Sequence, residues 1–180
     1  MSPDEDAAFE AFTRERARSL FRTALLLTGG DWHLAEDLVQ EALLRLYRFW
    51  PRVRPAANPA GYAQSVLTRV FLSSRRARRS TELPVASVGD ALTAAVEPPD
   101  TAESVALFAA LRRLTPADRA VLVLRFYADR SVEQVAADLG RTPSAVRTHS
   151  HRALNRLRDV IEPDLNRSAP FPVDSGKVFP

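Results

Sequence analysis

Arg147, Thr148, His151 and Arg152 follow one another at steps of one and three residues, a spacing that gathers hydrogen-bonding side chains along one side of a helix. Side chains of these types address phosphates and base edges. A guanidinium can meet guanine in bidentate fashion, and residues near the start of a recognition helix are the ones that reach into a groove. They are not arranged for catalysis. His149 and His151 are two residues apart and project to different sides of a helix, His33 is isolated, and no glycine-rich phosphate loop or zinc spacing occurs. The chain contains no cysteine, which excludes a thiol nucleophile, Cys-ligated zinc and a disulfide framework. No catalytic residue, metal or cofactor is expected, and the chain is read as a binding protein rather than an enzyme.

The elements that must hold these residues are written into Ser131 to Arg158. Ser131 with Gln134 three residues on has capping-box spacing, and Val132, Val135, Ala136 and Leu139 repeat at helical steps. Gly140 stands where a left-handed cap ends that helix. Thr142 followed by Pro143 starts a second helix, with proline in the first turn where its missing N–H is harmless. On this second helix Val146, Ser150, Ala153, Leu154, Leu157 and Ile161 form the inward side, opposite Arg147, Thr148, His151, Arg152 and Asn155. Two helices, a glycine turn and an arginine-bearing second helix make a helix-turn-helix suited to duplex DNA.

Upstream, Phe9, Phe12, Ala17, Leu20, Phe21, Ala24 and Leu25 predict a helix over about 6–27, broken at Thr28-Gly29-Gly30. Asp31 caps the next, where Leu34, Leu38, Ala42, Leu46 and Phe49 keep helical register to Trp50. Its acids come early and its arginines late, matching the helix dipole. Pro51 to Pro59 reads as a loop. A third helix from about Ala60 carries Tyr62, Val66, Val70 and Phe71 on one stripe and ends in Arg75, Arg76, Arg78 and Arg79. Residues 81–101 read as an acidic flexible linker. A fourth helix from about Ala102 to Leu114 presents Val105, Phe108, Leu111 and Leu114, and Thr115-Pro116 with Asp118 starts a fifth, running through Val121, Leu122 and Leu124 to Tyr127. From Pro163 onward the chain has four prolines and no helical pattern, so 163–180 is expected to be a disordered tail or an extended docking segment. No segment argues for a strand.

The expected fold is therefore all-α, with two small helical domains, 6–80 and 102–162, on either side of the linker. Charge follows the same division. Residues 1–80 carry 13 Arg against 9 acids and residues 103–162 carry 10 Arg against 7, whereas residues 81–102 carry four acids and no base. Two basic blocks around an acidic connector suggest two nucleic-acid-facing modules. The first residues, MSPDEDAAFEAF, lack the basic start and apolar core of a signal peptide, and no apolar run is long enough to span a membrane. A soluble, cytoplasmic protein with no membrane insertion is expected.

Taken together, DWHLAEDLVQEALLRLYRFW, NPAGYAQSVLTRVFLSSRRARR, the acidic connector and LTPADRAVLVLRFYADRSVEQVAADLGRTPSAVRTHSHRALNRLR resemble a bacterial RNA polymerase sigma factor. The likeness is to the extracytoplasmic-function (ECF, group IV) type of the sigma-70 superfamily, which keeps only regions 2 and 4, and it covers about residues 9–161. It implies a subunit that binds core RNA polymerase, recognises the -10 and -35 promoter elements and directs transcription initiation. The segment similar to residues 35–50 would meet polymerase through Asp37, Gln40, Glu41 and Arg45. The loop and helix over 53–76 would bind the -10 element and the melted strand through Asn58, Tyr62, Arg69, Arg75 and Arg76, with Tyr62 either a base contact or a core residue. Arg141, Thr142, Ser144, Arg147, Thr148, His151 and Arg152 would contact the -35 element. An anti-sigma factor is a further partner that the resemblance implies, one able to clamp two otherwise mobile modules together; the tail could serve that role internally. The alternative is a stand-alone helix-turn-helix transcriptional regulator, although the upstream half lacks the alternating strands and helices of a receiver domain.

Overall fold

The computed structural model describes residues 2–78 and 101–168, with side chains over 2–74 and 101–161. The linker, apart from Thr101, and everything beyond residue 168 lie outside the described residues, as do the side chains of Arg75 and Arg76. Among the described residues the chain forms seven α-helices, one π-helical segment and no strand, as the all-α expectation required.

The first module is a three-helix bundle of α1 (Pro3–Thr28), α2 (Trp32–Val53) and α3 (Pro59–Arg78). Helix α1 begins ahead of the expected start because Ser2 and Glu5 form a capping box: the Glu5 N–H donates to Ser2 Oγ at 3.3 Å and the Ser2 N–H to Glu5 Oε2 at 2.7 Å. It ends in two left-handed glycines, Gly29 (φ 72°) and Gly30 (φ 85°), whose N–H groups close onto the Leu26 and Leu25 carbonyls. Asp31 Oδ1 then accepts the Leu34 N–H at 3.0 Å and starts α2. That helix runs through Pro51, where a loop was expected. The proline costs one backbone bond, but Val53 behind it is buried and the Arg54 N–H still reaches the Trp50 carbonyl at 2.8 Å.

Phe21, Leu27, Leu46, Leu67 and Phe71 are fully enclosed between the three helices, and burial of each such side chain contributes about 2 kcal/mol. Phe9 and Phe12 close the far end over Trp50, with ring centroids 5.2 and 4.9 Å away. The apolar stripes are broader than single-face spacing suggests. On α2 the core places go also to Val39, Leu43 and Trp50, and Phe49 is left 48% exposed. Tyr62, expected on the α3 stripe, is likewise 39% exposed.

The second module consists of α4 (Ala102–Arg113), α5 (Pro116–Leu122), the π-helical segment Val123–Tyr127, α6 (Val132–Leu139) and α7 (Pro143–Ser168). Helix α7 continues five residues past Pro163, into the stretch expected to be an irregular tail. Val105 and Leu154 are exposed rather than core, whereas Val135, Val146 and Ala153 are fully enclosed where α6, α7 and the neighbouring segments meet. The π-helical segment widens the turn so that the Ala128 N–H reaches the Val123 carbonyl at 2.9 Å. Asp129 follows in the left-handed region (φ 49°), a conformation that Asp tolerates better than most residues.

The two modules are packed against each other, not held apart as freely moving units. Ala120 and Val123 join the core of the first module, and Phe108 lies under Gly30. A Cβ on Gly30 would stand 2.8 Å from Phe108 Cγ, so only glycine fits there. Around this apolar contact, arginines of the second module donate to backbone carbonyls of the first. Arg112 Nε reaches Gly29 O at 2.5 Å, Arg119 reaches Leu27 O at 2.9 Å and Arg130 reaches Gly61 O at 3.2 Å. The first two acceptors belong to the end of α1, where helix carbonyls have no partner within the helix.

Asp118 is the polar centre of the second module. Its carboxylate is fully buried and binds Thr115 Oγ1 at 2.8 Å, His149 Nε2 at 2.7 Å and Arg156 at 2.6 Å. Burial alone would raise its pKa, but the hydrogen bonds from Thr115, His149 and Arg156, with the Arg156 charge, hold it below the usual carboxylate value. A carboxyl whose pKa is depressed on folding stabilises the fold above its unfolded value, and that contribution is lost as the pH falls through the folded value. Asp118→Asn is therefore expected to destabilise the chain by about 3 kcal/mol at neutral pH, because it leaves buried donors facing a neutral amide. In urea melts at several pH values, the gap between the two chains should close as the pH drops below the ordinary Asp range, about 4. A gap that stays constant down to acid would show that the Asp118 charge is not what matters.

Candidate nucleic-acid interface

The helix-turn-helix forms as its caps dictate. Ser131 Oγ accepts the Gln134 N–H at 3.1 Å, Gln134 Oε1 accepts the Ser131 N–H at 3.0 Å, and Gly140 turns the chain at φ 62°. Thr142 Oγ1 accepts the Ala145 N–H at 3.2 Å and opens α7. With Val146, Ser150 and Ala153 turned inward, Arg141, Thr142, Ser144, Arg147, Thr148, His151 and Arg152 are all exposed. The structure thus brings the whole expected set onto one open surface of α7 and its leading turn. Arg147 rests on Glu133 of α6 at 3.3 Å, with both side chains more than three-fifths exposed. The Glu133 carboxyl is held below its usual value chiefly by its own backbone N–H and by Ser131, then by the charges of Arg147 and Arg125. An exposed pair of this kind contributes little to stability and can release Arg147 to another anion.

Sequence reasoning recognised Asp118 only as part of a helix start. In the fold it also grips α7 from behind at His149 and Arg156, two turns apart, which sets how far the helix is rotated about its own axis. Rotation decides which side chains meet a groove. The Thr-x-x-Asp spacing was visible in the sequence, but not the two partners, which lie 31 and 38 residues away.

On the first module, Asn58 Oδ1 accepts the Gly61 N–H at 2.7 Å and so caps α3 with an exposed side chain. Tyr62 and Arg69 are also exposed on α3. Arg75 and Arg76 continue the same helix, with side chains outside the description. Along α2, Asp37, Gln40 and Glu41 are half-buried and Arg45 is exposed, bound to Glu41 at 2.6 Å. Beside them Leu44 is 59% exposed, and Tyr47 and Phe49 also reach solvent. Large apolar side chains among charged ones suit a protein partner better than a nucleic acid. The -10 candidates lie at the cap of α3 and along it, and the -35 candidates on α7 and its leading turn. The expected -10 end of α3 meets Arg130, a residue that sequence reasoning had not singled out.

No helix among the described residues is long and apolar enough to cross a membrane, and no group of His, Cys, Asp or Glu there could hold a metal ion. Residues 12–81 match the family model for Sigma-70 region 2, and residues 110–159 match that for Sigma-70, region 4. The chain is 33% identical over 162 residues to an RNA polymerase sigma-E factor of Streptomyces avermitilis, covering 90% of this chain and 89% of that one. It is 33% identical over 163 residues to the ECF RNA polymerase sigma factor SigL of Mycobacterium tuberculosis, covering 88% and 91%. Among solved structures, the sigma factor RpoE from Bartonella quintana, crystallised with the anti-sigma factor NepR, shares the fold with a TM-score of 0.64 at 21% identity, covering 87% of this chain and 98% of that one. With both sigma-70 regions in order and such relatives matched over nearly their whole length, the chain belongs to the sigma-70 family of RNA polymerase sigma factors, in its ECF group.

Proposed function

We propose that this chain is a promoter-specificity subunit: it joins core RNA polymerase, recognises the -10 and -35 elements and directs initiation, with no bond chemistry of its own. The observation that carries this reading is the recognition helix, which is fixed from behind by Asp118 and open in front along Arg141 to Arg152. The -35 element would lie along that front. Arg147 and Arg152 would address base edges or phosphates, and Arg141, Thr142 and Ser144 would bind phosphate at the helix N-terminus. Asn58, Tyr62, Arg69, Arg75 and Arg76 would meet the -10 element and its melted strand, where an exposed tyrosine ring offers a surface for base stacking. Polymerase would take α2 through Asp37, Gln40, Glu41 and Arg45. Held on one enzyme, each weak DNA contact raises the effective concentration of the other. A subunit that acts with polymerase would do so in the cytoplasm. An anti-sigma factor would act by covering one or both of these faces.

Run-off transcription with core polymerase is the direct test. Initiation at a defined promoter only when this chain is added is the expected outcome, whereas sequence-specific duplex binding that needs no polymerase would favour a stand-alone regulator. Arg147→Ala should weaken recognition of particular -35 bases by about 1–3 kcal/mol. An equal loss on every -35 sequence in a competition series would reduce Arg147 to a phosphate contact. Reversing charge at Glu41→Arg, beside Arg45, should weaken capture by core polymerase about tenfold, or roughly 1.4 kcal/mol. Co-sedimentation with core enzyme alone measures it, without reference to DNA.

A further inference from the structure

The back of α7 is tied to Asp118 twice, through different oxygens of the carboxylate. His149 Nε2 lies 2.7 Å from Oδ1, and Arg156 donates to Oδ2 at 2.6 Å, beside the Thr115 hydroxyl at 2.8 Å. An ionised carboxylate only accepts hydrogen bonds, so His149 Nε2 carries the proton. The two side chains differ in what they can fix. His149 is a short, stiff ring, 17% exposed, bonded to a carboxylate that is 1% exposed. Arg156 is a long, flexible arm, 56% exposed, and α7 can turn beneath it while its bond to Asp118 is kept. The other inward groups near His149 give no direction. Ser150 donates within α7, to Val146 O at 2.8 Å, and Val146 and Ala153 pack through apolar contact alone.

Helical geometry sets His149 against the front of α7. At about 100° per residue, Arg147 and His151 each lie about 160° round the axis from it, and about 3 Å before and after it along the axis. Arg156 stands about 10 Å farther toward the C-terminus, away from the first turns that reach base edges in a recognition helix. A turn of about 20° about the axis would carry a side-chain tip about 6 Å out through about 2 Å. Hydrogen bonds tolerate a spread of only about 0.5 Å in length. A small rotation is therefore enough to lose one base contact or to make another, with every DNA-facing residue unchanged.

We infer that His149 is a positioning residue for promoter specificity: its bond to Asp118 fixes the rotation of α7 and so decides which -35 bases Arg147 and His151 can reach. This role rests on the proposed contact of α7 with the -35 element. His149 itself touches no base. Arg156 holds the far end of the helix and adds to affinity without selecting among sequences. Arg147 leaves the setting to His149, because its own pair with Glu133 is more than three-fifths exposed on both sides and restrains little.

The test is selection from a promoter library randomised at the -35 element, by core polymerase carrying the full-length chain in its unaltered form and as His149→Leu, His149→Gln and Arg156→Met. Leucine fills the space of the ring but donates nothing, whereas glutamine can return an N–H to Asp118 Oδ1. His149→Leu should change the preferred base, or cut the preference about tenfold, at the positions that Arg147→Ala affects. His149→Gln should keep the unaltered preference, and Arg156→Met should lower occupancy several-fold on all sequences alike. A uniform loss with His149→Leu overturns the positioning role, since a helix that is merely destabilised reads the same bases less often. A shift in preference with His149→Gln, or an equal shift with Arg156→Met, overturns it as well. If circular dichroism shows that His149→Leu loses helix content, His149→Asn decides in its place, its amide being too short to reach Asp118. Absence of any -35 preference in the unaltered chain overturns the promoter reading and this role together, whereas a preference that survives His149→Leu overturns the role alone.

Discussion

A guanidinium taken out of water must find oxygen acceptors, and Arg119, 3% exposed, finds them in carbonyls left over at helix ends. It donates to Leu27 O near the end of α1, and to Arg112 O and Leu114 O where α4 gives way to α5. One side chain thus serves the end of one helix, the turn between two others and the junction between modules. The Gly29-Gly30 turn, the contact of Gly30 on Phe108 and the burial of Ala120 and Val123 all lie around it. Were α1 one turn longer, those acceptors would be spent on its own amides and the second module would lose the Leu27 and Gly29 carbonyls it holds.

Asp118 plays the corresponding part for the recognition helix. Its position is set by a short cap at the start of α5, yet its oxygens bind α7 at two points. The exposed side chains of α7 proposed to meet DNA need no rigid partners of their own, because the helix that bears them is fixed from the other side. Packing within the module and the setting of α7 therefore draw on the same carboxylate. The exposed residues of α7 stay free to exchange partners, as the loose pair of Arg147 with Glu133 illustrates.

What could be read from the sequence was local. Ser131 with Gln134, Gly140, and Thr142 before Pro143 each act within four residues, and each cap forms as spacing implied. Proline misled twice for the same reason. Pro51 and Pro163 were read as breaks, but each lies within a helix that continues beyond it, and packing of Val53 shows how tertiary contacts override the loss of one N–H. The front of α7 was legible because solvent-facing polar residues repeat at helical steps. Nothing local announced that Arg130 would meet Gly61 across 69 residues, or that the two basic modules would pack together. Their apolar contact is built from single residues: Phe108, already counted toward the stripe of its own helix, and Ala120 and Val123, which belonged to no stripe.

At the first module Arg112, Arg119 and Arg130 donate to neutral backbone and hydroxyl oxygens. Ionic strength therefore acts unequally on the two things these modules can do. Promoter binding releases condensed counterions and weakens steeply as salt rises, whereas hydrogen bonds to neutral oxygens around an apolar centre are screened far less. The contact between the modules is therefore expected to be less sensitive to salt than DNA binding is.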